Sequence, residues 1–340
     1  MEVRAAATAW WAGLASRLSR KTLSTTNPES SKQGRLTIVL VSYNTAHLLL
    51  PLLERLHEAE WIVPIVIDNA SADGSAAAVA SQFPAIELVR NEKNVGFARA
   101  ANQGIARART EHVALVNPDT AVTPRLLCDL SDYLEQHAPV WAVAPRLIGD
   151  DGRPQTLAAG FRPTPARGFL YFLGLSYILP WPAAGFSVPP GIVRPIEVDW
   201  LSGACLVFRR EVVERVGALD ETFFLYGEDM DWCRRMRAAG GRLVFLADHD
   251  LQHSLWASSS HEVVSTDWLV ALIRYVLPLN SELGARLFFL AAALGFVLRG
   301  VRPGFRRRRS LFAYAGAAAR IALSPVSLQR RVSSAQARPT

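Results

Sequence analysis

Short apolar runs alternate with amphipathic stretches along the first third of the chain. The runs are rich in Val, Ile and Leu, as buried strands are, whereas the stretches between them repeat apolar residues at helical spacing. The predicted strands are residues 36–41, 62–67, 86–89 and 112–116, and the predicted helices are residues 46–59, 75–82 and 96–109. This alternation predicts an α/β fold in which helices flank a mostly parallel, Rossmann-like sheet.

The pattern is less regular after residue 141. Two further strands are predicted at residues 198–208 and 242–246, with a helix at residues 228–239 between them. An insertion at residues 162–195 is rich in proline and aromatic residues and contains an apolar run. It is interpreted either as a packed surface loop or as a flap that contacts an acceptor or a membrane.

Positive charge is concentrated at the two ends of the chain. The net charge is +7, and residues 306–309, all arginine, follow an apolar stretch at residues 287–298. Basic charge beside an apolar stretch favours an anionic membrane surface over nucleic acid, for which no motif is present. Twelve helical residues rise only about 18 Å, against about 30 Å of hydrocarbon. The stretch is therefore predicted to lie on a membrane, with core packing as the alternative.

These features predict three segments. Residues 1–35 form an amphipathic and linker segment that lacks the continuous apolar stretch of a secretory signal. Residues 36–256 form the α/β domain, and residues 257–340 form a basic C-terminal segment of amphipathic helices at a membrane surface. We expect a cytoplasmic protein associated with the inner face of the membrane. Three widely spaced cysteines are predicted to be reduced core residues, namely Cys128, Cys205 and Cys233.

Polar residues follow three of the predicted strands. They are Ser42, Tyr43 and Asn44 after the first strand, Asp68 and Asn69 after the second, and Asn117 and Asp119 after the fourth. Ligands of open α/β sheets collect at the carboxyl ends of strands, so a site is predicted there. The alternatives are that Asp68 caps the helix beginning at Ser75 and that residues 117–119 only form a turn.

The segment from Gly96 opens a helix whose free N–H groups are predicted to face a bound phosphate group. Glycine at this position permits close approach of the backbone. Arg99 and Asn102 then remain available to the site, although Arg99 is equally interpreted as a solvated surface charge.

Acidic residues open the helix predicted at residues 228–239. Glu228, Asp229 and Asp231 gather at its positive N-terminal end, where carboxylates are stabilised by the helix dipole. Simple capping explains part of this pattern, and acid–base chemistry is the alternative.

Six motifs occur in order between residues 36 and 256. They are V-S-Y-N at 41–44, D-N-A-S-A-D-G-S at 68–75, N-V-G-F-A at 94–98, N-P-D at 117–119, W-L-S-G-A at 200–204 and F-F-L-Y-G-E-D-M-D-W at 223–232. Each is weak alone, but together and in this order they resemble glycosyltransferase family 2, whose fold is called GT-A. Within that family the pattern is most similar to rhamnosyltransferase-like enzymes of cell-envelope polysaccharides.

The resemblance implies roles for particular residues. It places a group of residues at the donor, namely Ser42, Tyr43, Asn44, Asp68, Asn69, Asn94, Gly96, Arg99, Asn102 and Asn117. It places a second group on the acceptor side, namely Trp200, Gly203, Ala204, Glu228 and Asp231. Asp229 is implied as the base that deprotonates the acceptor hydroxyl.

A divalent metal, Mg²⁺ or Mn²⁺, is also implied. The family's D-x-D metal motif reads N-P-D here, which leaves Asp119 as the principal carboxylate ligand. His253 is the candidate second ligand, with a structural role as the alternative, and His249 lies close by in sequence.

The expected function is an inverting transfer of rhamnose or a related hexose from a nucleotide diphosphate donor. The expected acceptor is lipid-linked or a polysaccharide, in cell-envelope glycan synthesis. A non-catalytic sugar-nucleotide-binding or scaffold protein of the same fold is the alternative. A processive synthase would need several spanning helices and a Q-x-x-R-W-type segment, and a Rossmann oxidoreductase would need G-x-G-x-x-G after the first strand. The sequence shows none of these features.

Overall fold

The computed structural model describes residues 34–179, 181–254, 267–301 and 308–328. Residues Gly34 to Thr340 form one compact unit. The predicted N-terminal segment as far as residue 33, and residues 302–307 of the basic C-terminal stretch, lie outside the described residues. The division predicted at residue 256 also lies outside the described residues and stays a prediction.

Four strands of the main sheet and the three helices between them lie close to their predicted positions. They are β1 (Leu36–Ser42), α1 (Ala46–Leu56), β2 (Ile62–Asp68), α2 (Ser75–Gln82), β3 (Glu87–Arg90), α3 (Phe97–Ile105) and β4 (His112–Val116). The side chains of β1 and β4 are buried along nearly the whole strand, because helices cover both faces of a parallel sheet.

Six further strands and seven α-helices follow, together with three short 3-10 helices at Leu175–Tyr177, Pro182–Ala184 and Leu277–Leu279. The strands are β5 (Val140–Ile148), β6 (Ala159–Gly160), β7 (Ile196–Val198), β8 (Trp200–Leu201), β9 (Cys205–Arg209) and β10 (Arg242–Gln252). The helices are α4 (Pro124–Gln136), α5 (Pro165–Phe172), α6 (Glu211–Val216), α7 (Glu228–Ala238), α8 (Asp267–Val276), α9 (Glu282–Val301) and α10 (Arg308–Ala322). All three cysteines are buried and free, as predicted.

The main sheet has eight strands in the order β3-β2-β1-β4-β9-β5-β10-β7. Strand β1 runs parallel to both of its neighbours, β2 and β4, and its register sets Ser42 beside Asp68. Strand β9 is antiparallel to β4 and β5. The predicted α/β class is confirmed, and the polar ends of β1, β2 and β4 meet at one edge of the sheet.

The single strand predicted at residues 198–208 is wrong. The chain forms β7, β8 and β9 there, in three different pairings. The break after β7 occurs at Asp199, whose carboxylate accepts a hydrogen bond from the Arg162 backbone N–H at 2.7 Å. Strand β8 then pairs with β6 in a separate two-stranded sheet, and residues 202–204 turn the chain into β9. The strands that pair with β7, β8 and β9 are distant in sequence. The hydrophobic pattern does not contain these pairings, and it therefore predicted one continuous strand.

The insertion at residues 162–195 is packed at its start and exposed further along. On α5, the Phe172 ring lies 5.6 Å from Phe288 and 5.5 Å from Phe296, which are both on α9. Ile178 and Trp181 are 78% and 70% exposed. The packed-loop interpretation therefore describes α5, and the exposed tip keeps the flap interpretation open.

Helix α9 has 20 residues and is longer than the predicted apolar stretch. Within the described parts of the chain it is the one helix that is long and apolar enough to cross a membrane. Of its most apolar stretch, 56% is buried inside the protein. Phe288, Ala292 and Phe296 form its buried face. On the other face, Leu290 and Leu294 are 45% and 48% exposed. The helix therefore combines core packing with an exposed apolar stripe.

Helix α3 approaches β1 so closely that only glycine fits at position 104, because an added Cβ would overlap the buried Val39 side chain. We expect Gly104→Ala to lower the free energy of unfolding by about 1–3 kcal/mol, as overpacking does. Gly316→Ala on α10 is the control, because the nearest atom to its Cβ would be the end of the Arg320 side chain. It should leave stability unchanged or raise it by about 0.5–1 kcal/mol. Urea denaturation measures both, and equal effects would contradict this packing.

Candidate active site

A cavity of about 540 Å³ lies at the carboxyl ends of β1, β2 and β4. It is the place where the sequence predicted a site. Seven predicted site residues line it, namely Tyr43, Asn69, Asn94, Gly96, Asn117, Asp119 and His253. The other predicted site residues do not line the cavity. They lie behind the lining residues or bond to the loops that carry them.

The turn after β1 is fastened to the turn after β2. Asn44 has a left-handed backbone (φ 56°), and its side-chain oxygen accepts a hydrogen bond from the Ala72 N–H at 2.7 Å. Ser42 is buried and bonds the Thr45 hydroxyl at 2.9 Å. Between them, Tyr43 is 45% exposed and faces the cavity. Asn44 and Ser42 thus stabilise the turn that presents Tyr43.

Asp68 is buried, and its carboxylate bonds within its own loop. It accepts hydrogen bonds from the Ser71 N–H at 3.2 Å and from the Ser75 hydroxyl at 3.1 Å. These contacts tie the end of β2 to the start of α2, which is the capping alternative. Recognition of a nucleotide base by Asp68 stays a prediction.

Asn69 connects β2 to the loop before α3. Its side-chain NH₂ donates to the Asn94 side-chain oxygen at 2.8 Å. Its side-chain oxygen accepts from the Asn91 side chain at 3.0 Å and from the Val95 N–H at 3.1 Å. Since one amide satisfies three partners in this loop, Asn69 fixes the backbone that leads into Gly96.

Gly96 lies against a second loop. Its φ is +84°, and an added Cβ would lie 2.7 Å from the Phe224 carbonyl oxygen. That same oxygen accepts the Phe97 N–H at 2.7 Å. The first N–H of α3 is therefore bonded within the chain, and glycine is required because the two backbones touch.

Arg99 and Asn102 bind the loop at residues 219–227, which we call the clamp loop. The Arg99 Nε lies 2.8 Å from the Glu221 carboxylate. Asn102 accepts from the Leu219 N–H at 3.0 Å and donates to the Leu219 carbonyl at 2.9 Å. Neither residue lines the cavity, so both are placed to hold this loop. Their predicted contact with the donor stays a prediction.

Helix α8 holds the clamp loop from a different side. The Arg274 guanidinium bonds the Asp220 carboxylate at 3.2 Å and stacks over the Phe223 ring at 3.4 Å. An added Cβ on Gly227 would lie 3.1 Å from the Ala271 Cβ. The C-terminal helices therefore help to build this site, a role that the sequence did not indicate.

The predicted metal residues meet at the cavity wall. The His253 Nε2 lies 3.4 Å from an Asp119 carboxylate oxygen, and both side chains are largely buried. The other ring nitrogen, Nδ1, bonds the Gln155 side-chain oxygen at 2.8 Å, which fixes the ring's orientation.

One carboxylate and one imidazole fit a divalent ion that takes its remaining ligands from phosphate and water. The described residues contain no cluster of three or more His, Cys, Asp or Glu side chains with metal-binding geometry. A metal here would therefore depend on oxygen atoms of a bound substrate.

Asp229 is connected to the cavity lining through the residues that follow β8. Its Oδ2 accepts the Gly203 N–H at 2.8 Å, and its Oδ1 accepts the Met230 N–H at 2.7 Å. The next residue, Ala204, accepts the Asn117 N–H at 2.9 Å through its carbonyl oxygen. Gly203 and Ala204 thus join the acid helix to the N-P-D turn.

The three acids at the start of α7 have different surroundings. Burial, followed by the charge of Asp229, raises the pKa of Glu228, whose Oε2 is buried without a hydrogen-bond partner. Burial also raises the pKa of Asp229, although hydrogen bonds from backbone N–H groups oppose the shift. Asp231 is paired with Arg234 at 2.6 Å and Arg235 at 2.9 Å. Two guanidinium groups thereby balance the charge of Asp231, whereas burial raises the pKa of Glu228 to about 8 and also raises the pKa of Asp229.

Trp200, predicted on the acceptor side, is fully buried and does not line the cavity. Its ring lies 5.3 Å from Phe186 of the insertion. The structure places it under the site as a packing residue, and an acceptor contact stays a prediction.

The chain was compared with known proteins. The family described as Glycosyl transferase family 2 matches residues 37–217, and Glycosyltransferase like family 2 matches residues 193–266. The first match alone covers more than half of the sequence. The chain belongs to glycosyltransferase family 2.

Two relatives of this glycosyltransferase are named as sugar transferases. An N-acetylglucosaminyl-diphospho-decaprenol L-rhamnosyltransferase of Mycobacterium tuberculosis is 28% identical over 216 residues, which are 59% of this chain and 69% of the relative. A low-salt glycan biosynthesis hexosyltransferase of Haloferax volcanii is 26% identical over 207 residues, 59% of this chain and 61% of that one. The resemblance to rhamnosyltransferase-like family members is confirmed.

A solved structure confirms the GT-A fold of the glycosyltransferase. The crystal structure of GalNAc-T7 with UDP, GalNAc and Mn²⁺ aligns with a TM-score of 0.53 at 13% identity. The alignment covers 84% of this chain and 55% of that chain. At this identity the likeness establishes the fold and leaves substrates open.

Several cavity-lining residues of the glycosyltransferase were not predicted. They are Phe224, Leu225 and Tyr226 of the clamp loop, Leu157, and Trp268 and Tyr314 of the C-terminal helices. The three clamp-loop residues belong to the motif at residues 223–232, which also contains the acids. Their closeness in sequence to the acids could therefore have marked them as site residues. Tyr226 also has a left-handed backbone (φ 69°), a strain that collects at functional sites. No motif marks Trp268 or Tyr314.

Proposed function

We propose that this glycosyltransferase moves one sugar, rhamnose or a related hexose, from a nucleotide diphosphate donor to a lipid-linked or polysaccharide acceptor in cell-envelope glycan synthesis. The transfer inverts the anomeric centre. The observation that carries the proposal is the contact chain between the metal residues and the acid helix. Asp119 and Asn117 share one turn, Asn117 bonds Ala204, and Gly203 bonds Asp229.

The names of the relatives support the substrate class. One relative is named for L-rhamnosyl transfer to a diphospho-decaprenol lipid, and another for hexosyl transfer in glycan synthesis. A donor such as dTDP-L-rhamnose and a lipid-linked saccharide fit this pattern. The nucleotide would lie along Tyr43 and Asn69, which face the cavity at the ends of β1 and β2.

Asp229 is the proposed general base. The acceptor hydroxyl gives its proton to the carboxylate while its oxygen bonds to the anomeric carbon, and the bond from that carbon to the diphosphate oxygen breaks. Two backbone N–H groups hold the carboxylate in place, and its raised pKa makes it a stronger base than an exposed aspartate. One base suffices for a single displacement.

Asp119 and His253 are the proposed ligands of Mg²⁺ or Mn²⁺. When bound, the cation supplies positive charge against the diphosphate, whose negative charge grows as it leaves. Gln155 orients the His253 ring for this role through its bond to Nδ1.

The exposed face of α9 is proposed to rest on the inner face of the membrane, where a lipid-linked acceptor would be found. Its exposed apolar residues repeat along one side of the helix, namely Leu283, Leu287, Leu290, Leu294, Leu298 and Val301. A stripe of this kind is typical of a helix that lies in the interface plane. The proposed localisation is cytoplasmic and peripheral.

Loss of the metal should be seen first in donor binding. We expect EDTA to abolish transfer and added Mn²⁺ to restore it. Asp119→Asn should reduce the thermal stabilisation given by a nucleotide diphosphate sugar as well as turnover, because the ligand is lost before chemistry begins. Differential scanning fluorimetry and a transfer assay check both effects. Full transfer in EDTA would remove the metal from the account.

Removal of the base should separate chemistry from binding. Asp229→Asn keeps the side-chain volume and should lower turnover by roughly 10²- to 10⁴-fold, because the acceptor proton has no receiver. Donor affinity should barely change. Asp248→Asn, an exposed acid on β10, is the matched control and should retain full activity. Near-normal turnover for the Asp229 variant would contradict the assignment.

Membrane association should depend on the exposed face of α9. Leu290→Gln together with Leu294→Gln should weaken binding to anionic phosphatidylglycerol vesicles about tenfold or more. The reason is that the variant loses two apolar side chains whose transfer from water into the vesicle surface favours binding. Val193→Gln, at a site 61% exposed elsewhere, is the control. Vesicle co-sedimentation of the full chain measures both. Equal binding by the double variant and wild type would refute the anchoring role.

A further inference from the structure

Two aromatic side chains from the C-terminal helices line the same cavity as the donor-side residues. They are Trp268 on α8 and Tyr314 on α10, and we call them the aromatic wall. Their ring centroids lie 5.5 Å apart at an interplanar angle of 79°. Phe296 of α9 backs both rings, at 6.2 Å from Trp268 and 5.7 Å from Tyr314. Three helices thus hold two aromatic rings at the cavity.

The aromatic wall lies beside the start of the acid helix. Trp268 and Ala271 are three residues apart on α8 and so project from the same side of that helix. Ala271 faces Gly227, the residue directly before Glu228 and Asp229. A group that contacts the wall is therefore near Gly227, at the start of the helix that carries the proposed base.

The lining around the wall is uncharged. Leu225 and Tyr226 of the clamp loop line the same cavity and are 47% and 36% exposed. Among the described residues that line the cavity there is no Lys or Arg, and Asp119 is the only acid. A diphosphate has no cationic side chain to bind at this wall, whereas a neutral ring with C–H faces does have a matching surface.

The part of the acceptor nearest the base must be the sugar that carries the reacting hydroxyl. The lipid of a lipid-linked acceptor is separated from that hydroxyl by at least the width of the sugar ring. The position of the wall beside the start of the acid helix therefore favours a pyranose ring over an apolar chain.

We propose that Trp268 and Tyr314 form the acceptor-sugar platform, on which the pyranose ring that carries the reacting hydroxyl stacks. The inference rests on the proposed function and adds the specificity-determining residues of its acceptor. The C-terminal helices then serve catalysis directly, in addition to any contact with a membrane.

The test compares two acceptors, methyl and decyl esters of N-acetylglucosaminyl diphosphate, with dTDP-L-rhamnose as donor. Trp268→Leu and Tyr314→Leu keep an apolar side chain but remove the ring, and each should raise acceptor KM about threefold to tenfold, the size of one ring contact. The increase should be the same for both acceptors, and kcat should change little. Trp268→Phe should recover part of the loss.

Donor readouts and a matched variant control the test. Stabilisation by dTDP-L-rhamnose, and its slow hydrolysis without acceptor, should match wild type in every variant. Phe312→Leu removes a ring from the same helix as Tyr314, at a position that is 46% exposed and does not line the cavity. It should leave acceptor KM unchanged.

The outcomes separate the two proposals. An increase in KM for the decyl acceptor alone would place the lipid chain at the wall and overturn the sugar platform. Unchanged KM, or a parallel loss of donor stabilisation, would also overturn it. A wild-type protein that binds the donor but uses neither acceptor would overturn this acceptor assignment and leave the donor site intact. A wild-type protein that neither binds nor hydrolyses the donor would overturn the proposed function itself.

Discussion

The site depends on one constraint, the fixing of the clamp loop between two helices. Helix α3 holds it through Arg99 and Asn102, and α8 holds it through Arg274. The loop in turn closes on Gly96 and leads through Gly227 into the acid helix. Because both attachments fix one short segment, the position of the acids is coupled to the donor-side loop and to the C-terminal helices together.

The same arrangement gives similar carboxylates different chemistry. Asp231 is neutralised by Arg234 and Arg235, so it serves structure. Asp229 is half-buried and held by backbone N–H groups, and removal from water raises its pKa. Asp119 lies beside an imidazole on the cavity wall, where a cation would be shared with phosphate oxygens. Environment, and not residue type, is therefore the basis on which the base and the metal ligand are proposed.

Sequence patterns predicted the parts of the fold that depend on local order. The strands β1 to β4 and helix α2 were found because apolar period and turn residues are local properties, and the carboxyl-end rule placed Tyr43 and Asp119 correctly. Long-range contacts could not be predicted. The division of residues 198–208 depends on pairing with β6, and the position of Trp268 depends on Ala271 meeting Gly227.

The central claim is that one cavity holds a nucleotide diphosphate and its metal at Asp119 and His253, next to the acid helix. The most direct measurement is a crystal structure of the full chain with dTDP and Mn²⁺, using the anomalous signal of manganese to locate the ion. The account predicts a manganese peak within ligand distance of the Asp119 carboxylate and the His253 Nε2, with the nucleotide along Tyr43 and Asn69. A nucleotide or manganese bound elsewhere on the molecule would contradict it.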